Sequence, residues 1–218
     1  MVFLSGDASG LQAIDNAIKD GSLPNAEIVL VVSNRGAAKG LEWAKAAKLP
    51  TLYFPLKMYT DAGLGRQSYD AALAEKLKSY QPDLLIQAGW MHVFSHSFLN
   101  HFSDKVINLR PVLPTQFAGV DGIKRTFEAY RSGQATHGGW VVEWVMPEGA
   151  TGATISEMLV SISEGDNLQA FSERMEVAAQ RLLVRAIKKQ LTPALPEPEA
   201  APTRLYLPGE ASGPIIDG

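Results

Sequence analysis

Short apolar segments alternate with amphipathic segments along the first half of the chain, and this alternation restricts the fold more than any other feature. The apolar segments are rich in Val, Ile and Leu, and they cover residues 1–4, 27–33, 51–54, 83–89 and 105–109. Between them apolar residues recur at helical spacing, as at Leu11, Ile14 and Ile18. Strands that alternate with helices predict an α/β fold with a mostly parallel sheet covered on both faces.

The second half of the chain has a different pattern, in which longer strands are predicted. Residues 138–145 and 153–162 are predicted to pair antiparallel across the Gly-rich turn MPEGATG. A helix with one apolar face is predicted from residue 167 to residue 189, and the chain beyond it is rich in Pro, Ala and Glu. We therefore predict one domain over residues 1–192 and an extended tail over residues 193–218.

The composition excludes several kinds of site. The 20 Lys and Arg residues are outnumbered by 23 Asp and Glu residues, which does not favour a nucleic-acid surface. The chain contains no Cys and therefore no disulfide, thiolate metal ligand or thiol nucleophile. We see no pattern of a signal peptide and no run of about 18 apolar residues, so we expect no membrane segment. These features favour a cytoplasmic protein.

The segment SGDASG follows the first predicted strand and opens a helix. In open α/β sheets, ligands bind at the carboxyl ends of strands, and the free N–H groups of this turn would face an anion near Ser9 and Gly10. The segment is neither a GxGxxG fingerprint, because Ala8 stands at the second Gly position, nor a P-loop. A tight strand-to-helix connection without a ligand is the alternative interpretation.

The His residues do not predict a metal site. His92, His96 and His101 are closely spaced, but the HExxH pattern is missing and no Cys is available, so surface or capping roles are favoured. His137 stands beside two Gly residues, where a structural hydrogen bond is favoured over a functional imidazole.

Six segments occur in an order that resembles the phosphoribosylglycinamide formyltransferase family, the folate-dependent enzymes of purine synthesis. The segments are SGDASG, VVSNRGAAKGLEWAKAAKLPT, RQSYDAAL, PDLLIQAGWMHVFSHSFL, INLRPVLP and HGGWVVEWV. The resemblance extends from about residue 1 to residue 189. It implies a Rossmann-like formyltransferase fold, in which a mostly parallel sheet has an antiparallel C-terminal extension and helices on both faces.

The resemblance also implies two ligands and the residues that bind them. The phosphate of glycinamide ribonucleotide is expected at residues of the first turn and at one Arg further along the chain. These residues are Gly6, Ala8, Ser9, Gly10 and Arg66. The pterin end of the co-substrate 10-formyltetrahydrofolate is expected beside the residues after the fourth apolar segment. These residues are Trp90, Met91, His92 and Val93. No metal, nucleic-acid or membrane partner is implied, and the protein is expected to be a monomer or a homodimer.

The segment VINLRPVLPTQFAG is predicted to be a strand followed by a Pro-containing loop, and its strand end resembles the family's catalytic Asn-x-His-Pro pattern. Asn108 matches the Asn, whereas Arg110 stands at the His position. The family's Asp, in the later Gly-rich turn, corresponds to Ala150 or, with a one-residue slip, to Gly149. Both ionisable catalytic partners of the family are thus replaced in this chain.

An Arg at this position has predictable chemical consequences. A guanidinium donates several hydrogen bonds and stays charged, so Arg110 together with Asn108 can stabilise an oxyanion but cannot shuttle a proton at neutral pH. A buried Arg also needs a carboxylate partner. We predict Glu148 as this partner, with Glu143 as the other candidate, and we predict Asn108, Arg110 and Glu148 as the catalytic residues.

Three functions are compatible with these features. The main prediction is formyl transfer from 10-formyltetrahydrofolate to glycinamide ribonucleotide or a related amino sugar phosphate, at a rate lowered by the replaced residues. A hydrolase related to formyltetrahydrofolate deformylase is less favoured, because we expect no N-terminal regulatory domain. The third is a catalytically inactive or repurposed binding protein, in which Arg110 is only a structural ion-pair residue. The intact Asn108, the turn at Ser9 and the AGWM segment favour the first function.

Overall fold

The computed structural model describes residues 1–111 and 121–192, with a seven-stranded sheet between two layers of helices. The predicted loop over residues 112–120 and the predicted tail over residues 193–218 lie outside the described residues, as does the side chain of Glu148.

The strands are β1 (Val2–Leu4), β2 (Val31–Ser33), β3 (Thr51–Tyr53), β4 (Leu85–Ala88), β5 (Val106–Pro111), β6 (His137–Val145) and β7 (Thr151–Ser161). The helices are α1 (Ser9–Lys19), α2 (Lys39–Ala46), α3 (Lys57–Asp61), α4 (Arg66–Lys78), α5 (His96–Leu99), α6 (Gly122–Arg131) and α7 (Leu168–Leu191). A short 3₁₀ helix, Pro147–Gly149, connects β6 to β7.

The strand order of the sheet is β3-β2-β1-β4-β5-β6-β7. Strands β1 to β5 pair in parallel, whereas β6 pairs antiparallel with both β5 and β7. The chain winds outward from β1 in one direction to β3 and in the other to β4, so the carboxyl ends of β1 and β4 form a topological switch point. The predicted mostly parallel sheet with an antiparallel C-terminal extension is confirmed.

Alternate residues of the central strands enter different layers, because successive side chains of a strand point to opposite faces. Val2 and Leu4 belong to the apolar cluster that includes residues of α1, α2 and α7. Phe3 belongs to the cluster formed with α4 and α5. Both faces of the parallel part are therefore covered by helices, as predicted.

The loop that follows β4 is attached to this second layer by aromatic side chains. Phe3 makes edge-to-face contacts with Trp90, Phe94 and Phe98. Phe94 and Phe98 stack with their ring centroids 3.8 Å apart. Because these rings are buried, the path of the loop beside the sheet is set by core packing.

Helix α6 is absent from the sequence prediction. It starts after Asp121, which has a left-handed conformation with φ of 58° and makes no side-chain cap. Its apolar residues Phe127, Ile123 and Tyr130 pack in a small cluster with β7 and α7. The sequence does carry a helix signal here, because Asp121 stands at the N-cap position and Ile123, Phe127 and Tyr130 recur at helical spacing. Within the described ranges, none of the helices is long and apolar enough to span a membrane.

Candidate active site

Two cavities meet at the carboxyl ends of β4 and β5. The first, which we call the turn cavity, has a volume of about 550 Å³ and lies between the turn after β1, the end of β5 and helix α7. The second, which we call the loop cavity, has a volume of about 500 Å³ and lies between the loop after β4, strand β6 and the β6–β7 turn. Four residues line both cavities and form their common wall: Trp90, Met91, Asn108 and Arg110.

The turn after β1 places its donors at the entrance of the turn cavity. Ser9 and Gly10 line this cavity, whereas Gly6 and Ala8 belong to the turn without being among its lining residues. The carboxylate of Asp7 accepts hydrogen bonds from the backbone N–H of Ser9 at 3.0 Å and from its hydroxyl at 2.8 Å. A carboxylate of the chain thus occupies the two Ser9 donors that the sequence predicts for a phosphate.

Arg66 is not among the residues that line the turn cavity. It starts helix α4, and its Nη2 atom donates a hydrogen bond to the backbone carbonyl of Val93. The structure therefore brings Arg66 to the loop predicted for the pterin.

The residues predicted for the pterin all line the loop cavity, but their side chains have different environments. Met91 and Val93 are 69% and 43% exposed, whereas Trp90 and His92 are buried. Before them, Gly89 has a φ of 80°, which favours Gly and turns the chain out of β4. The N–H of Met91 donates to the hydroxyl of Ser5 at 3.1 Å, so the loop is tied to the end of β1.

His92 forms a buried pair with Asp70 of helix α4. The distance from His92 Nε2 to Asp70 Oδ1 is 2.7 Å, and the other carboxylate oxygen accepts the N–H of Ser95 at 2.6 Å. The imidazole also lies edge-on to Tyr69, whose pKa is raised by burial and by the nearby Asp70 carboxylate. Both interactions turn the ring of His92 toward α4, so this side chain holds the loop in place. The surface or capping role predicted for His92 is wrong, whereas His96 and His101 are exposed as predicted.

Arg110 is held by Glu143, the other candidate that the sequence offers, and the side chain of the predicted partner Glu148 lies outside the described residues. Its Nε donates to Glu143 Oε1 at 2.7 Å and its Nη2 donates to Glu143 Oε2 at 3.0 Å, the fork geometry of a bidentate pair. The pairing follows from the sheet, because β5 and β6 are adjacent and Asn108 stands opposite Glu143 in their register. The hydrogen bonds that Arg110 donates to Glu143 raise the pKa of Arg110 above its ordinary value, although partial burial acts in the other direction.

The positions that match the family's Asp carry no ionisable group. Gly149 and Ala150 both line the loop cavity. Among the described residues that line this cavity, Glu143 is the only carboxylate. The common wall therefore presents one amide and one guanidinium, and the carboxylate that orients the guanidinium lines the loop cavity alone.

Several residues of the site are absent from the sequence prediction. Asp70 interrupts the apolar face of α4 and Gln87 interrupts the apolar segment LLIQAG, and a polar residue within an apolar pattern is a usable signal. Glu176 and Gln180 of α7 line the turn cavity, but on the sequence they look like ordinary polar positions of an amphipathic helix. In the described ranges, no group of three or more His, Asp or Glu residues could hold a metal ion.

The comparison with known families identifies the class of this chain. It matches the family model described as formyl transferase over residues 1–187, and the chain therefore belongs to the formyl transferase family. The predicted formyltransferase fold is thereby placed in a known family.

Individual relatives refine this assignment. The chain is 39% identical over 199 residues to the phosphoribosylglycinamide formyltransferase of Schizosaccharomyces pombe, with 88% of this chain and 96% of that protein covered. It is 34% identical over 196 residues to the phosphoribosylglycinamide formyltransferase of Dictyostelium discoideum, with 86% and 95% covered. The crystal structure of glycinamide ribonucleotide transformylase 1 from Geobacillus kaustophilus is similar with a TM-score of 0.76 and 30% identity, covering 88% of this chain and 97% of that chain. The resemblance inferred from the six segments is confirmed.

Proposed function

We propose that this protein transfers a formyl group from 10-formyltetrahydrofolate to the amine of glycinamide ribonucleotide, a step of purine biosynthesis. The observation that carries the proposal is the common wall, in which Asn108 and Arg110 face both the turn cavity and the loop cavity. A transfer between two ligands requires two sites that meet at the reacting groups. We place glycinamide ribonucleotide in the turn cavity and the formyl donor in the loop cavity.

The side chains of the common wall suit an oxyanion. Negative charge develops on the formyl oxygen when the amine attacks the formyl carbon, and fixed donors stabilise such charge best. Asn108 supplies amide N–H groups. Glu143 takes two of the five N–H donors of the Arg110 guanidinium, and we assign the others to the oxyanion. Arg110 does not carry the proton that the amine loses, because a guanidinium stays protonated at neutral pH.

The first turn is proposed to hold the phosphate, through Gly6, Ala8, Ser9 and Gly10. The N–H and the hydroxyl of Ser9, which now donate to Asp7, would donate to a bound phosphate instead. The Asp7 carboxylate would have to move aside for this. The role of Arg66 as a second phosphate contact, the cytoplasmic location and the monomeric or homodimeric state stay predictions. A related amino sugar phosphate is the other acceptor that the turn cavity would take.

The function is tested by following the release of tetrahydrofolate with glycinamide ribonucleotide present or absent. We expect acceptor-dependent release by the wild type and a loss of about 10²–10³-fold in kcat for Asn108→Ala, because one oxyanion donor is removed. Asn16→Ala, an exposed Asn of α1, is the control and should leave the rate unchanged. A wild type that binds folate without releasing tetrahydrofolate would instead be a binding protein, and release without acceptor would indicate a hydrolase.

Glu143 is expected to act through Arg110. Replacing it with Gln keeps the size of the side chain but removes the charge that holds the guanidinium, so kcat should fall by about 10–100-fold while KM for both substrates changes little. Glu157→Gln, at an exposed position of β7, is the matched control. An unchanged kcat in Glu143→Gln would show that the pair is structural only.

A further inference from the structure

Two buried hydrogen-bond donors at the loop cavity lack a partner. Gln87 and Trp90 are only 4% and 7% exposed, and both line this cavity. Gln87 Nε2 and Trp90 Nε1 are buried and have no hydrogen-bond partner among the residues that the structure describes. Buried donors are nearly always paired in folded proteins, because an unpaired one loses its hydration without compensation.

The fold itself does not need an amide at position 87. Gln87 stands on β4 between Phe3 of β1 and Asn108 of β5 in the strand register. Leu85, two residues earlier and on the same face of β4, is fully buried in the apolar layer. An apolar residue at position 87 would continue this layer, so the amide has to be explained by something other than packing.

The rim of the loop cavity is apolar, in contrast to its floor. Met91, Val93 and Met146 line the cavity and are 69%, 43% and 43% exposed, although they are large apolar side chains. An apolar rim above a few buried polar groups is the usual form of a site for a flat organic ring. The rim would cover the faces of such a ring and the floor would meet its polar edge.

We propose that Gln87 and Trp90 bind the polar edge of a planar heterocycle, and that they determine which ring the loop cavity accepts. The indole N–H can only donate, so Trp90 requires a carbonyl oxygen or a ring nitrogen with a free lone pair. The amide of Gln87 can both donate and accept, so it can form a hydrogen bond with either a donor or an acceptor at the neighbouring ring atom. This inference rests on the proposed function, in which the heterocycle is the ring of the formyl donor.

The test distinguishes whether the amide of Gln87 binds a ligand or stabilises the fold. Gln87→Leu removes the amide at nearly constant volume. Because the amide is unpaired in the free protein, we expect an unchanged or higher Tm, together with a Kd for tetrahydrofolate raised about tenfold or more, measured by calorimetry. Trp90→Phe should raise the Kd for tetrahydrofolate in the same way. Gln190→Leu makes the same chemical change at the opposite end of the sheet and should leave the Kd unaltered.

Each outcome decides the inference. A lower Tm in both Gln87→Leu and Gln87→Met would show that the amide is paired in the free protein, for instance by an ordered water, and would overturn the proposal. A Kd within twofold of wild type in Gln87→Leu, or a wild type that binds no folate, would overturn it as well. Folate binding that depends on Gln87 but is not followed by transfer to glycinamide ribonucleotide would support the inference and reject the proposed function alone.

Discussion

Replacing Arg110 with Ala is expected to lower kcat for formyl transfer by about 10²–10³-fold, the usual effect of removing one oxyanion donor. The guanidinium lies in the common wall of the two cavities and is held by Glu143 at 2.7 and 3.0 Å. KM for both substrates should change less than kcat, because the charge that Arg110 meets develops only during the reaction. The measurement is tetrahydrofolate release at saturating concentrations of both substrates.

A further variant at this position separates charge from geometry. Arg110→Lys keeps the positive charge but loses the planar fork, so it should recover only part of the rate. Arg185→Ala, an exposed Arg of α7, is the control and should behave like the wild type. Full activity in Arg110→Ala would remove Arg110 from the catalytic site and support a purely structural ion pair.

The pH dependence of the rate provides an independent check on the same residue. Because Glu143 raises the pKa of Arg110 above a value that is already far from neutral, Arg110 stays protonated and should contribute no step to the pH–rate profile. Arg110→His introduces a group that titrates near pH 6.5, so a new step is expected in that range. A wild type that is inactive, with activity appearing only in Arg110→His, would indicate a chain that has lost catalysis.

Replacing Asp70 with Ala is expected to lower the free energy of unfolding by about 2–6 kcal/mol, because two donors lose their acceptor and each unpaired buried donor costs about 1–3 kcal/mol. The change leaves the His92 imidazole and the N–H of Ser95 without their acceptor in the interior. Urea denaturation followed by circular dichroism measures the effect. We expect Asp70→Asn to lie between Asp70→Ala and the wild type, because the amide oxygen can still accept one hydrogen bond.

The chain contains a matched control for this prediction. Asp61 and Lys57 form an ion pair on α3, where their side chains are 59% and 81% exposed. Asp61→Ala should change the free energy of unfolding by about 0.5 kcal/mol or less, as is usual for exposed pairs. Equal effects of Asp61→Ala and Asp70→Ala would mean that the buried pair contributes no more than the surface one.

The sequence predicted the features that depend on local pattern. The alternation of strands and helices predicts β1 to β5 and α7 to within a few residues, and the turn at Ser9 is predicted because a Gly- and Ser-containing segment follows the first strand and opens a helix. Helix α6 is absent from the prediction although Asp121 stands before Ile123 and Phe127, which lie at helical spacing. Strands, helices and turns can thus be predicted where a short segment itself contains the pattern.

Such local patterns do not identify the carboxylate that pairs with Arg110. Glu148 lies in the turn and Glu143 in the strand, and the sequence offers both carboxylates. The choice depends on the register of β5 against β6, which places Asn108 opposite Glu143. Register across two strands is a property of the folded sheet, so it has no signature in either segment alone.

The Arg110–Glu143 pair also limits which amino-acid substitutions this chain could accept during evolution. A lone change of Arg110 to His would leave the Glu143 carboxylate, only 10% exposed, without the cation that neutralises it. A lone loss of Glu143 would release the guanidinium from the position where it faces both cavities. Each single step is therefore unfavourable on its own, and the two positions are expected to be exchanged together or not at all.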